Sequence, residues 1–538
     1  MGSGQRPVGS GQREYRVRRN SSKREKTLRC RTGRCVGRPG ARPISGRRDY
    51  LTAHCSLPTG HCALDYPDAS LHTAHCMSLT IAVSTQRQIL AFWLPLAASW
   101  ALMSAEGPIL QAVIARLPEL QTQLAAFGIV MSLEIAIESP VIMLLATSTA
   151  LSTNAGNYLT VRRFMIWVNV LATVVAAVVA FTPLYKVLVS GMMGIPPRIA
   201  AAAQPGMRIM TLWSAAIGWR RFYQGVLIRQ GQTGWVGYGT LARLVSSAGA
   251  GIGLAILTSL PGVHIASIGL MAGVVVEAVF ITHAVQPTVR KLLREGHSRS
   301  KTRGGKDDAV SLRYVARYHA PLAATSLLTL LAQPLIGAGL ARMPFPEENL
   351  AAWPVVWGIL FLFRSPAFAL PEAVIALVSE SRPAHPLRAF CWRVGWGSSL
   401  AMVALACTPL LRLYLRYLAG LPEHLSRFVV PGLLLGIIIP FINAVHSWFR
   451  GLLMAARSTK EIYWGMGLNL VVTALVMLLA VLLSAPGVAA GVFAITVSFL
   501  VEIEFLRRKV RNESKNSRIQ EFKNESGTGA KPEPFLDS

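Results

Sequence analysis

Charged side chains inside long apolar runs are costly to bury, so each one is a candidate for binding or proton chemistry. Glu106 stands in Glu106-Gly107-Pro108. A proline there removes a backbone donor and is expected to break the helix beside the carboxylate, an arrangement suited to holding a cation or a proton. Glu134 and Glu138 lie four residues apart, on one face of a helix, where two like charges repel unless a proton or a partner intervenes. Arg220, Arg221, Arg243 and Arg364 also fall in apolar surroundings, with Gln333 as a neutral polar neighbour in the seventh apolar run. Guanidinium groups gathered around one cavity attract carboxylates or phosphates, which points to an anionic solute. Plainer alternatives stand beside these readings. Glu106 at a span end would simply be solvated, and Arg220 and Arg221 at the end of a helix would reach the headgroups.

The elements that must position these residues come from a tandem repeat. Pro95-Leu96-Ala97-Ala98 returns 226 positions later as Pro321-Leu322-Ala323-Ala324, and Ala115-Arg116-Leu117-Pro118 returns as Ala341-Arg342-Met343-Pro344. The same offset carries Pro108 onto Pro334, Ser139-Pro140 onto Ser365-Pro366 and Gly225 onto Gly451, and a one-residue slip carries Glu277 onto Glu502. Two homologous halves follow. The copy of Glu106 is Ala332, so the proline belongs to the fold and the acid to the chemistry of one half. Glu138 is copied as Arg364, which predicts an ion pair across the lobes if both line a common cavity, the alternative being that each pairs inside its own lobe. Glu277 and Glu502 coincide and read as structural partners within each lobe.

Hydrophobic residues make up 52% of the chain, charged residues 15%, and the mean hydropathy is +0.43. That is a polytopic, all-α membrane protein, far from the roughly 25% charged content of soluble domains. Twelve spans of about 20 residues can be drawn. They run over 89–111, 124–151, 164–185, 207–228, 237–257 and 263–285, and then over 315–340, 350–377, 390–414, 428–454, 462–483 and 488–506. Each half is a six-helix bundle, an even number, so the halves enter the membrane from the same side as a parallel repeat. Lys and Arg crowd one set of loops, among them Arg162, Arg163, Arg290, Lys291, Arg382 and Arg457, which places both termini in the cytoplasm and suits a plasma membrane. A net charge of +28 spread over loops and tails is no footprint for nucleic acid.

Residues 77–285 and 313–510 are expected to form the two bundles, 286–312 a flexible cytoplasmic linker, and 511–538 a disordered tail. Residues 1–76 are basic, lack an apolar period and hold five of the seven cysteines, so disorder is expected there, with Met77 as an alternative start. His54-Cys55 and His75-Cys76 resemble metal-ligand pairs, but their spacing fits no zinc module.

Two like bundles meeting at the bilayer midplane form the geometry of alternating access, so a secondary active transporter for small organic solutes is the leading reading, acting as a monomer in the lipid bilayer. An organic-anion exporter or lipid-linked precursor flippase is the alternative, and a structural membrane protein the reading from another class. No Walker, HExxH or Ser-His-Asp pattern is present, so no enzyme, metal site or cofactor is expected, and Na+ or H+ is the energy source in view.

Phe222-Tyr223-Gln224-Gly225-Val226-Leu227-Ile228-Arg229-Gln230-Gly231-Gln232-Thr233 resembles the signature closing the fourth helix of the MATE and polysaccharide-lipid flippase superfamily, with its copy at Trp448-Phe449-Arg450-Gly451-Leu452. Within it, Pro95-Leu96, Glu106 and Ile114-Ala115 are closer to the progressive ankylosis branch. The resemblance implies two six-helix bundles around a V-shaped cavity, with cation coupling by acids of the first or seventh helix. Here Glu106 stands for the usual first-helix Asp, and the seventh helix offers only His319 and Gln333, which makes protons, or no coupling ion, candidates on a par with sodium.

Overall fold

The computed structural model describes residues 13–15, 28–31, 34–35, 86–303, 309–378, 385–456 and 458–525. Within residues 1–76 the described part is a small antiparallel sheet, β1 (Arg13–Tyr15), β2 (Leu28–Arg31) and β3 (Arg34–Cys35), in that order. The rest of that segment, with both His-Cys pairs, lies outside the described residues.

From residue 86 onward the described chain is helical. The first half comprises α1 (Gln86–Ile114), α2 (Leu120–Ile142), α3 (Leu144–Leu151), α4 (Ala155–Phe181), α5 (Pro197–Ile209), α6 (Trp213–Arg229), α7 (Gly234–Leu257) and α8 (Gly262–Arg303). The second comprises α9 (Leu312–Leu330), α10 (Ala332–Leu340), α11 (Pro346–Phe368), α12 (Leu370–Leu377), α13 (His385–Ala406), α14 (Glu423–Leu435), α15 (Ile439–Ala455), α16 (Thr459–Leu482) and α17 (Gly487–Glu525). Among the described residues, 11 stretches are long and apolar enough to cross a membrane. The twelfth span is α5 with α6, whose arginines lower its hydropathy. Its partner 226 positions on, α14 with α15, is one of the 11.

The repeat governs the backbone to the residue. Shifted by 226, α2, α3, α5 and α6 start where α11, α12, α14 and α15 start. The left-handed residues Glu119 (φ 55°) and Gly194 (φ 69°) fall on Phe345 (φ 59°) and Gly420 (φ 70°). The Ser-Pro pairs show why sequence and shape travel together. Proline leaves the carbonyl four residues back without its helical donor, and the preceding serine repairs the loss. Ser139 Oγ donates to the Ala136 carbonyl at 2.8 Å and Ser365 Oγ to that of Leu362 at 2.7 Å. Helix N-termini are served in the same paired way. Gln123 Oε1 accepts from the Val263 amide at 3.1 Å, and Asn349 Oδ1 from that of Val488 at 3.2 Å.

Burial inside lipid gives little net drive for helices to associate, so close packing must do that work. Gly218 of α6 lies so close to Asn169 of α4 and Val141 of α2 that any Cβ would overlap both. Leucines and isoleucines that no helix covers, among them Leu171, Ile256, Leu257 and Leu482, form the outward face that the lipid would solvate.

Three expectations are revised. Helix α1 runs unbroken through Pro108, whereas in the second half one helix ends at Leu330 and the next starts at Ala332, just before Pro334. The ring removes a single donor, which packed neighbours tolerate. Residues 286–303, expected as a flexible linker, continue α8, because Lys, Arg, Leu and Glu are good helix formers and the first glycine pair is Gly304-Gly305. The tail likewise stays helical to Glu525, and residues 526–538 lie outside the described residues.

Candidate functional site

The first lobe carries a buried network assembled from five helices. Glu277, on α8, is fully buried, forms an ion pair with Arg220 Nη1 at 2.7 Å and accepts from Gln224 Nε2 at 3.0 Å, both on α6. Arg243 of α7 grips Glu106 of α1 through two bonds, Nη2 to Oε2 at 2.5 Å and Nε to Oε1 at 3.2 Å, and its Nη1 stands 3.9 Å from Glu277. The fork of a guanidinium matches a carboxylate in this bidentate way. Arg243 also lies over the Trp213 ring, 5.4 Å from its centre, and Trp213 Nε1 donates to Glu138 Oε2 at 2.5 Å.

Glu106 and Glu277 are answered by Arg243 and Arg220, so the network's function is first to hold helices together. Removing one member of a buried pair costs about 3–5 kcal/mol, because the other is left without a counter-charge. The second lobe repeats the plan with other residues. Glu502, the copy of Glu277, meets His446 Nε2 at 2.8 Å and accepts from Asn469 Nδ2 at 2.8 Å. His446 and Asn469 are the copies of Arg220 and Arg243, and Arg450, copy of Gln224, is half-buried with its Nε without an acceptor. The acid and the positions around it belong to the fold, while the residues that fill them differ between halves.

The expected site residues therefore separate. Glu106, Arg220 and Arg243 come together as a closed network, and Glu106 is neither free nor solvated. Arg221 stands beside that network on α6 with its Nε unpartnered. Glu138 and Arg364 do not meet in the arrangement described. Glu138 is held by Trp213, and Arg364 donates to Asn443 Oδ1 at 3.1 Å, both contacts lying within one lobe. Gln333 accepts from Trp353 Nε1 at 3.3 Å. Glu134 stands apart: it is fully buried, and neither carboxylate oxygen has a hydrogen-bond partner.

Trp213, Gln224, His446, Asn443 and Asn469 were not legible as site residues from types and spacing. Carrying each neighbour of Glu277 across the 226-residue offset would have found His446 and Asn469. The His319 of the seventh span bonds Thr147 Oγ1 through Nδ1 at 2.9 Å, a neutral link to the other lobe. Among the described residues no three His, Cys, Asp or Glu side chains converge as metal ligands.

The lobes meet where α1 and α2 pack against α11 and α9. Besides the His319–Thr147 bond, bonds from side chains across this seam run to main-chain carbonyls: Trp93 Nε1 to Pro366 at 3.0 Å, Gln111 Nε2 to Pro354 at 3.0 Å and Gln86 Nε2 to Pro386 at 2.8 Å. At the rim opposite the termini, Arg116 Nη2 donates to the carbonyls of Tyr417 at 2.6 Å and Leu418 at 2.9 Å. Arg342 answers with Nη2 to Met192 at 2.6 Å and Nη1 to Met193 at 2.7 Å. Each buried ion pair among the described residues closes within one lobe.

No family model matches the chain, and no curated protein does. Solved structures do. A crystal structure of the eukaryotic MATE transporter AtDTX14 superposes with a TM-score of 0.56 at 14% identity, over 79% of this chain and 95% of that one. It has the MATE transporter fold. A MOP superfamily transporter from Pyrococcus furiosus gives 0.55 at 16% identity over 79% and 96%, and the lipid II flippase MurJ, inward closed, gives 0.56 at 11% over 80% and 92%. The MATE fold accounts for twelve spans in two like bundles, and at these identities the likeness is one of fold.

Proposed function

We propose that this protein is a secondary active transporter that moves small organic anions by alternating access between its two lobes, driven by protons taken up at Glu134. The single observation that carries the transport reading is the seam. The buried ion pairs close within each lobe, and the bonds between lobes end on main-chain carbonyls or neutral side chains, so the lobes can part as rigid bodies without stranding a buried ion pair. Opening one rim at a time exposes the space between lobes to one side of the membrane, which is the geometry a carrier needs.

Glu134 supports proton coupling because a carboxylate with no donor in a fully buried place is costly to charge. Occupancy by a proton removes that cost, and access from one side at a time turns occupancy into coupling. Glu106, already paired with Arg243, is unsuited to that part. With arginines concentrated in the membrane interior, the anionic alternative outranks cationic drugs. Lys and Arg loops set the termini in the cytoplasm, and the Arg116 and Arg342 rim outside.

The test is counterflow in proteoliposomes preloaded with organic anions or with cationic dyes. The proposal expects anion exchange that an imposed pH gradient accelerates. Flux of cations alone would overturn the anionic reading, and no flux of either would overturn transport.

A further inference from the structure

One face of α11 carries Trp353, Trp357, Phe361, Arg364 and Phe368, at steps of four, four, three and four residues. Their rings form a ladder. Trp353 and Trp357 are stacked with centres 6.2 Å apart, Trp357 and Phe361 at 6.4 Å, and Phe361 meets Phe368 at 5.2 Å. The ladder ends on the other lobe, where Trp100 of α1 lies 5.2 Å from Phe368.

Arg364 sits among these rings. Its guanidinium lies 5.0 Å from the centre of Phe499, 5.3 Å from Trp357 and 5.4 Å from Phe368. The residue is 4% exposed, its Nε has no acceptor, and its one hydrogen bond to a side chain goes to the neutral Asn443. No carboxylate among the described residues forms an ion pair with it, in contrast to Arg220 and Arg243. A cation with five donors and no counter-charge is a receptor lacking its anion.

The first half supplies an internal control. The positions equivalent to the stripe are Phe127, Met131, Ile135, Glu138 and Ile142. The same helix in the same fold packs with mostly aliphatic side chains and a carboxylate, so neither the ladder nor the guanidinium is demanded by packing. Asn443 is likewise copied from Ile217.

We infer that Arg364 and the ring ladder of α11 form the recognition site for an aromatic organic anion, with the carboxylate or sulfonate on the guanidinium fork and the ring system stacked on Trp357 and Phe361. Planar rings suit stacking at the lobe seam, and an acid group supplies the counter-charge that the protein withholds. This deepens the transport reading and rests on it for what happens after binding, though not for binding itself.

The test is isothermal titration of the full chain in lipid nanodiscs with four probes: 1-naphthoate, cyclohexanecarboxylate, 1-naphthylmethylammonium and 2-naphthol. Naphthoate is expected to bind at least tenfold more tightly than each of the others. Arg364→Gln and Trp357→Met, the latter restoring the residue type of the first half, should each weaken naphthoate at least tenfold, with Arg364→Lys intermediate. Thermal unfolding of each variant separates lost binding from lost fold, and where Arg364→Gln unfolds, the Trp357→Met arm decides. Naphthoate that fails to bind the wild type, binds folded Arg364→Gln or folded Trp357→Met unchanged, or binds no better than the ammonium overturns the site. Tight, Arg364-dependent binding without counterflow would keep this site and sink transport, whereas dye flux without naphthoate binding would do the reverse.

Discussion

Arg116 and Arg342 occupy equivalent positions in the two halves, and each lays its guanidinium on the chain of the other half. Arg116 reaches the Tyr417 and Leu418 carbonyls while Arg342 reaches those of Met192 and Met193, beside Gly420 and Gly194 in matching left-handed turns. A Cβ on Gly194 would come within 3.2 Å of the Arg342 guanidinium carbon, so glycine serves both the turn and the approach of the arginine. The rim is thus stapled twice by one device.

Cutting these staples should open that rim. Hydrogen bonds from a charged donor are worth about 1.5–3 kcal/mol each. In a cysteine-free background with a single cysteine at Gln111, maleimide labelling from the Arg116 side should accelerate in Arg116→Ala and in Arg342→Ala, and most in the double variant. Equal rates in all four proteins would show that the staples do not hold the rim.

The ring around Glu277 should be transplantable from the second half as a set. Arg243→Asn alone leaves Glu106 without its partner and should lower stability by about 3–5 kcal/mol. Adding Glu106→Ala, Arg220→His and Gln224→Arg recreates the surroundings of Glu502 and should recover most of the loss, a coupling that additive effects cannot give. Thermal unfolding decides, and a quadruple variant less stable than Arg243→Asn refutes the equivalence of the two rings.

Exchanging Glu138→Arg with Arg364→Glu should rescue neither single variant. Glu138 would leave the Trp213 N–H and Arg364 its three rings, and nothing would be gained across the lobes. Recovery of counterflow in the exchange would show that the two residues do meet in another conformation.

Glu134→Gln keeps the shape of the side chain and removes the titratable proton. Transport, measured as anion counterflow, should persist while its acceleration by a pH gradient disappears. Unchanged acceleration would move the proton site away from Glu134.

Much of this fold was legible in the sequence because the repeat keeps one register over its prolines and glycines from Pro95 to Gly225, and these residues act on the backbone directly. The helices carrying Pro140 and Pro366 each end two residues after the proline, at Ile142 and Phe368. The sites were harder to read. The spacing of Glu134 and Glu138 put both on α2, but which of them had a donor depended on Trp213, from a helix more than 70 residues away. The expected Glu138–Arg364 pair is absent from this arrangement for the same reason: equivalent positions face each other only if both point at the axis, and here a tryptophan holds one and aromatic rings surround the other. The continuation of α8 into the expected linker was missed because charged residues at the end of a span read as loop, although their propensity is helical.

The central claim is that the lobes part along their seam as rigid bodies, one rim at a time. Spin labels at the equivalent positions Gly191→Cys and Tyr417→Cys, both exposed, report the width of the stapled rim by double electron–electron resonance in nanodiscs. Two distance populations are expected, with the longer one rising in the Arg116→Ala and Arg342→Ala double variant while label pairs within one lobe stay fixed. A single distance unmoved by pH, by naphthoate and by loss of both arginines would contradict the account.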